Sequence, residues 1–402
     1  MPTKAGAAST RPNPFTPSFG VTPPLLVGRS AMLASFEAAI DGTPGEVGRA
    51  TLVTGLRGVG KTVMLNALED IAVSRGWLVI SETATKGLAG RMTTEALPKL
   101  LAEHDPRSSK RRITGVTLPM GSGGFVSTVE ERYRPVANLR SQLTELTRLL
   151  APNGTGVLIT VDEIHRGAID DLREITTVVQ HAFREGLDVA FVGAGLKPNI
   201  NELRSDRMLT FLRRAHVQEL GQLDYEASAR ALREPIAEGG RSIDDDALDY
   251  AVRGTQGYPF LVQFIGSKSW QEAGPAERIQ LAHARRAVRL ARQAMGQYIY
   301  EPTLAALSVG DRTYLAAMAS DDGPSLSSDI RLRMRAKAGY VGVYRQRLIN
   351  AGIIEPAGYG SVQFTTPYLR EYLREHVVSE AIALPQGRAF PPPPDEDEDL
   401  DD

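Results

Sequence analysis

Residues 55 to 62 read Gly55-Leu56-Arg57-Gly58-Val59-Gly60-Lys61-Thr62, a G-x-x-x-x-G-K-T loop with one additional internal glycine. Those residue types at that spacing hold a polyphosphate. The glycines let backbone N–H groups turn toward a β-phosphate at the positive end of a helix, a lysine reaches the β and γ oxygens, and a threonine hydroxyl ligates Mg²⁺. Lys61 and Thr62 take the last two roles, and Val63 opens the helix behind them. Further along, the apolar run Val157-Leu-Ile-Thr-Val161 delivers Asp162-Glu163. Two carboxylates at the C-terminal edge of a buried strand sit where ligands bind in open α/β sheets. Asp162, in company with Thr62, would hold Mg²⁺ through water, while Glu163 polarises the water that attacks a γ-phosphate. An Asp-Glu pair also suits the dipole of a following helix, but its place downstream of a phosphate loop favours the metal-and-base reading. The implied ligands are a nucleoside triphosphate and Mg²⁺.

The flanking segments are those the loop requires. Ala50-Thr-Leu-Val-Thr54 is a short β-branched run suited to a buried parallel strand, and Val63 to Val73 carries apolar residues at helical spacing. From Leu25 to about Leu220 strand-like and helix-like segments alternate, which predicts a parallel sheet with helices on both faces. Its further strands are expected at Trp77–Glu82, Gly156–Val161, Asp188–Gly193 and Ala215–Leu220. Residues 221–300 read as a helical lid. Within it, Pro275 to Ala294 is an amphipathic stretch with a basic face formed by Arg278, Arg285, Arg286, Arg289 and Arg292. Residues 301–378 read as helix, helix, helix, strand, turn, strand: Asp311–Ala319, Ser327–Met334, Val341–Asn350, Gly352–Pro356 and Ser361–Thr365. That is a winged helix-turn-helix order. The fold class is thus an α/β phosphate-loop core over 25–220, an α-helical lid and a C-terminal winged helix.

The remaining segments carry less information. Residues 1–24, with Pro12, Pro14, Pro17, Pro23 and Pro24, are expected to be a disordered or extended tail in which Phe15 and Phe19 offer anchors. Residues 105–127 hold Lys110-Arg-Arg112 and a glycine-linked hairpin over 113–127, an insertion suited to solvent or to phosphate contacts. Residues 379–402 form a proline and acid run, read as a disordered tail.

Composition bounds the chemistry. The chain of 402 residues is 42% hydrophobic and 23% charged, enough for two or three domains of about 100 to 200 residues each. No run approaches the roughly 18 apolar residues of a membrane span, and the first residues lack a signal-peptide layout, so a cytoplasmic location is expected. With 0 cysteines and 6 histidines, disulfides, thiolate catalysis and cysteine-type zinc sites are excluded. The formal charge of −2 hides a basic body: without the seven acids of Asp395–Asp402, 46 basic residues face 41 acidic ones, a net of +5.

Two further segments carry a family resemblance. Val27-Gly28-Arg29 before a helix, and Gly254-Thr-Gln-Gly257-Tyr258-Pro259 later on, resemble segments of AAA+ and STAND ATPases of the origin-recognition-like, archaeal-ATPase-type group, the actinobacterial-type AAA family. The resemblance covers about residues 25 to 300 and implies ATP binding, with Gly28 and Arg29 close to the adenine and Pro259 packed near the base. It also implies an extra strand, here Trp77–Glu82, inserted between the loop strand and the acidic strand. The lack of an N-K-x-D segment agrees with adenine over guanine. Two departures stand out. Gly193-Ala194-Gly195-Leu196 replaces the polar γ-phosphate sensor, and Gly257-Tyr258-Pro259 replaces a lid arginine. Arg213 or Arg214 is then the expected γ-phosphate or neighbour-subunit finger.

Two uses of the nucleotide stay open. In the first, a slow ATPase works as a switch or loader on double-stranded DNA, with Tyr344, Arg345 and Arg347 in the recognition helix and Arg331, Arg333, Arg335 and Lys337 ahead of it. In the second, a STAND-type signalling switch with little turnover releases the same module toward a protein partner or a second copy of itself.

Overall fold

The computed structural model describes residues 11–18, 20, 22–23, 25–104, 138–209 and 211–376. The 113–127 hairpin and the tail from 379 onward lie outside the described residues.

Five parallel strands, β1 Ala50–Gly55, β2 Leu78–Thr83, β3 Val157–Ile164, β4 Val189–Gly195 and β5 His216–Leu220, form one sheet in the order β2-β3-β4-β1-β5. The strand that separates β1 from β3 is therefore β4, and β2 is the outer edge, which corrects the expectation that β2 lies between them. β1 and β4 are buried throughout, as strands covered on both faces must be. Alternate residues feed two cores. Leu52, Ile159, Val161 and Phe191 point to one, closed by the helices Leu139–Leu150 and Ile169–Arg184. Val53, Leu158, Ala190 and Val192 point to the other, closed by Ser30–Asp41 and Lys61–Ser74.

Beyond β5 stand the helices Tyr225–Glu238, Asp245–Thr255, Pro259–Glu272 and Leu281–Met295, with a parallel pair of two-residue strands, β6 Ser242–Ile243 and β7 Arg278–Ile279. The predicted basic face is largely engaged: Arg286 pairs with Glu272 at 2.7 Å, Arg278 with Asp244 at 3.4 Å, and Arg292 lies 4.6 Å over the Tyr368 ring. A π-helical turn, Gly296–Tyr300, then leads directly into Glu301–Ala305.

The C-terminal module comprises Val309–Ala319, β8 Ser325–Leu326, Ser327–Met334, Ala338–Asn350, β9 Ile354–Pro356, β10 Ser361–Phe364 and Leu369–His376. Its antiparallel sheet runs β8-β10-β9, so a third strand joins the two expected. Its core is continuous with that of the preceding helices, from Leu232 through Tyr300 to Leu373. Tyr300 donates its hydroxyl hydrogen to the Pro367 carbonyl, and Tyr368 donates to that of Gly254. Two residues expected in the recognition helix are engaged within the module: Tyr344 is buried against Gly310, and the part-exposed Arg347 is bound to the buried Asp311 at 2.8 Å. Arg333 likewise pairs with Asp321 at 2.6 Å.

The proline-rich start also departs from a free tail. From Arg11 to Pro17 the chain forms neither helix nor strand, as Pro12, Pro14 and Pro17 favour, but Phe15 is buried and fills the space over Gly266.

Candidate functional site

The phosphate loop joins β1 to the helix Lys61–Ser74, and its geometry depends on glycine. Gly60, with φ 93°, caps the helix without any side-chain acceptor, so the first-turn N–H groups stay available to an anion. Gly58 has φ 71°, and a Cβ there would lie 1.9 Å from the Tyr258 hydroxyl. Lys61 Nζ donates to the carbonyls of Leu56 at 2.7 Å and Gly55 at 3.2 Å, inside the loop's own curve. Burial lowers its pKa to about 8, with Arg57 adding to the fall and the Asp162 and Glu163 carboxylates opposing it.

The acidic pair sits across the sheet. A register shift between Val161 and Ile164 breaks the β3 ladder, and such bulges re-aim side chains next to sites. Asp162 and Glu163 consequently both line the cleft, although neighbours on a regular strand point to opposite faces. Thr62 Oγ1 donates to Asp162 Oδ2 at 2.6 Å, and the Glu163 N–H donates to Asp162 Oδ1 at 2.7 Å. Glu163 adopts φ 53°, a left-handed conformation rare for a residue with a side chain.

Sequence reasoning missed Asn199. It lies in the first turns of the helix Lys197–Ser205, just past β4, lines the cleft, and donates from Nδ2 to the Ile164 carbonyl at 3.0 Å. Gly193–Leu196 itself carries no polar side chain, whereas Asn199, one helical turn later, brings an amide to the cleft lining. Its only sequence signal was an amide shortly after Pro198.

The cleft has a volume of about 870 Å³ and runs from Lys61, Thr62 and Val63 to Val27, Arg29 and Pro259. Arg57, Gly58, Val59 and Gly60 line it as well, whereas Gly55 and Leu56 supply the carbonyls beneath Lys61. Gly28, with φ 68°, turns the chain against Leu223 at its rim, and Arg29 donates to the Gly221 carbonyl at 2.6 Å. Pro259 begins the helix Pro259–Glu272, where a missing N–H costs nothing. Tyr258 donates to the Arg57 carbonyl at 2.7 Å, so the lid touches the phosphate loop itself. Arg213 and Arg214 are not brought to the cleft. They stand exposed on the turn Leu212–Arg214, where Arg213 reaches the Asp206 carbonyl at 3.4 Å.

Comparison with known proteins agrees with this geometry. Residues 25–192 match the AAA ATPase domain family, and residues 297–373 match a domain of unknown function (DUF8462). No protein of curated function matches the chain. Among solved structures, the chain is similar to the ORC2 protein of Aeropyrum pernix in ADPNP and ADP complexes, at 15% identity over 91% of this chain and 96% of that one, with a TM-score of 0.60. It is also similar to a Walker-type ATPase of Pyrococcus abyssi, at 16% identity over 87% and 96%, with a TM-score of 0.56. Residues 25–192 thus match the AAA ATPase domain family, and the chain as a whole shares its fold with these two solved structures.

Proposed function

We propose that the cleft binds ATP with Mg²⁺, that hydrolysis is slow, and that the nucleotide acts as a switch on the C-terminal module. The observation that carries this reading is the Thr62–Asp162 contact of 2.6 Å at the mouth of the phosphate loop. It puts two hard oxygen donors where a cation on the β and γ oxygens would sit. Mg²⁺ keeps several waters and needs only one or two protein oxygens beside the phosphates, so the pair fits it. The described residues hold no cluster of three or more His, Asp or Glu that would suit a protein-only cage. When bound, the cation neutralises charge developing on the phosphoryl oxygens.

The chain's own residues divide the remaining work. The loop N–H groups and Lys61 hold the β and γ oxygens. Glu163 accepts the proton of the attacking water. Asn199 is placed to orient that water or the γ-phosphate, and Gly28, Arg29 and Pro259 enclose the adenine. Tyr258 then reports the state of the loop to the lid.

The helix and strand order of residues 309–364 supports a winged helix, and its exposed Arg331, Arg335 and Lys337, with Tyr359 fully exposed at the hairpin tip, support contact with double-stranded DNA. The STAND-type reading draws support from the burial of Tyr344 and the pairing of Arg347, which remove two expected base readers. Phosphate release measured with and without duplex DNA tests the proposal. Stimulation by DNA, together with a mobility shift at roughly 50 mM salt that fades as salt rises, is the expected outcome. No shift, with ATP-dependent oligomerisation by light scattering, would establish the signalling switch instead.

A further inference from the structure

His165 follows the acidic pair at the end of β3, and its ring is set by its own turn. The Gly167 N–H donates to His165 Nδ1 at 3.0 Å, a bond that caps the turn Arg166–Ala168 ahead of the helix Ile169–Arg184. A backbone N–H can only donate, so Nδ1 offers its lone pair and the ring proton sits on Nε2. The ring lies against Gly167, where a Cβ would come 2.9 Å from Cε1 and 3.0 Å from Nδ1. Only a residue without a side chain lets the imidazole approach so closely.

The segment that carries the ring is itself clamped. Ile164, between Glu163 and His165, is buried, pairs with Gly195 of β4 and gives its carbonyl to Asn199 Nδ2 at 3.0 Å. Glu163 and His165 on either side are exposed and line the cleft. Asp162 and Glu163 are carboxylates, which as anions only accept. Of the residues that line the cleft from β3, β4 and the helix Lys197–Ser205, His165 and Asn199 alone carry a side-chain N–H, and the Asn199 amide nitrogen is already bonded. A terminal phosphate brings acceptor oxygens toward two carboxylates, so a preset donor on that side is the group it needs.

We infer that His165 Nε2–H donates to an oxygen of the γ-phosphate and lets the site tell a triphosphate from a diphosphate, an assignment that rests on the reading of the cleft as an ATP site. A diphosphate has no oxygen at that place and leaves Nε2 to water. The hydrogen bond is therefore added only when the third phosphate is present. Because the Gly167 N–H holds Nδ1, the donor is oriented before the nucleotide arrives, and little freedom is lost on binding.

The test separates the two ring nitrogens. The Oδ1 that His165→Asn introduces falls near the place of Nδ1 and can accept the Gly167 N–H, while nothing reaches the place of Nε2. The longer His165→Gln puts an amide N–H near the place of Nε2 and gives up the cap. The full chain is titrated with the non-hydrolysable β,γ-imido analogue of ATP and with ADP, both with Mg²⁺, by displacement of a fluorescent ribose-labelled ADP, and melting is followed in parallel. Wild type should favour the triphosphate analogue over ADP, and His165→Asn should lower that ratio about tenfold, the effect of one hydrogen bond to a charged group. ADP affinity and Tm should not change in His165→Asn. His165→Gln should keep most of the ratio and melt a few degrees lower, since the Gly167 N–H loses its acceptor. Affinity ratios are independent of the folded fraction, so a partly unfolded variant still reports. If wild type binds neither nucleotide, the proposed function itself falls. If it binds both, and His165→Asn keeps the wild-type ratio or His165→Gln loses as much of it as His165→Asn, reading of the γ-phosphate by His165 Nε2 is overturned while the nucleotide site stands.

Discussion

The hydroxyl of Tyr258, on the lid, donates to the backbone carbonyl of Arg57, in the phosphate loop, at 2.7 Å. Burial pushes the phenol well above its ordinary pKa, so it remains a donor at every working pH. The contact leaves no room at the neighbouring position, where a Gly58 Cβ would overlap the hydroxyl at 1.9 Å. Gly58→Ala should therefore expel Tyr258, lower Tm by several degrees and lose nucleotide affinity. Tyr258→Phe, which removes one hydrogen bond, should cost about 1 kcal/mol and weaken binding only a few-fold. Wild-type melting and binding in Gly58→Ala would refute the coupling of lid to loop.

Lys61 gives a pH signature. Its pKa is about 8 in the folded chain against 10.5 for a fully solvated lysine, chiefly through burial. The unfolded chain holds that proton more firmly, so this group's contribution to stability rises with pH between about 8 and 10.5 and is a constant penalty of roughly 3 kcal/mol below that window. Lys61→Met should abolish nucleotide binding yet raise Tm at pH 7, and the gain should shrink toward pH 10. A gain independent of pH would exclude Lys61 as its source.

Glu163 offers a contrast between stability and turnover. At φ 53° a side chain is strained by about 1 to 2 kcal/mol. Glu163→Gly should be more stable than Glu163→Ala by about 1 kcal/mol in denaturant titrations, the reverse of the usual order for these residues. Glu163→Gln should retain ATP and release phosphate at a small fraction of the wild-type rate. Equal stability of the Gly and Ala variants would mean that the strain is not there.

In the C-terminal module, Asp311 is 1% exposed and accepts from Ser308 Oγ at 2.7 Å and Arg347 at 2.8 Å. Arg347→Ala strands that carboxylate and should cost about 3 kcal/mol, with part of the loss recovered by adding Asp311→Asn. Arg331→Ala and Lys337→Ala touch no such network. They should leave Tm unchanged while lowering DNA affinity and reducing the salt slope by about 1 each. Unchanged affinity in both would remove this face from any DNA contact.

Much of the site was legible because its signals are local. The loop Gly55–Thr62 is contiguous, and the doubly buried strands β1, β3 and β4 read as unbroken apolar runs. What escaped depends on distant contacts. Strand order is set by how the helical crossovers pack, so nothing within Trp77–Thr83 marks it as an edge. Asn199 sits one helical turn beyond the position where a sensor was sought, because β4 ends in Gly193-Ala194-Gly195 and hands over to a helix. The prolines between Pro12 and Pro24 signal lack of helix correctly but say nothing of the pocket that Gly266 opens for Phe15. Tyr344 and Arg347 occupy helical spacings that suit a groove or a core equally, and only Gly310 and Asp311 decide it.

The unbroken core from Leu232 to Leu373 also has a thermodynamic consequence. Elements that share one apolar interior lose it together, so residues 221–376 should melt as a single cooperative unit. A calorimetric scan should then resolve two endotherms, one for the sheet and one for everything beyond β5. A chain cut after Tyr300 would leave that ring without Pro367 and Tyr372, and its helices should lose their sharp transition altogether.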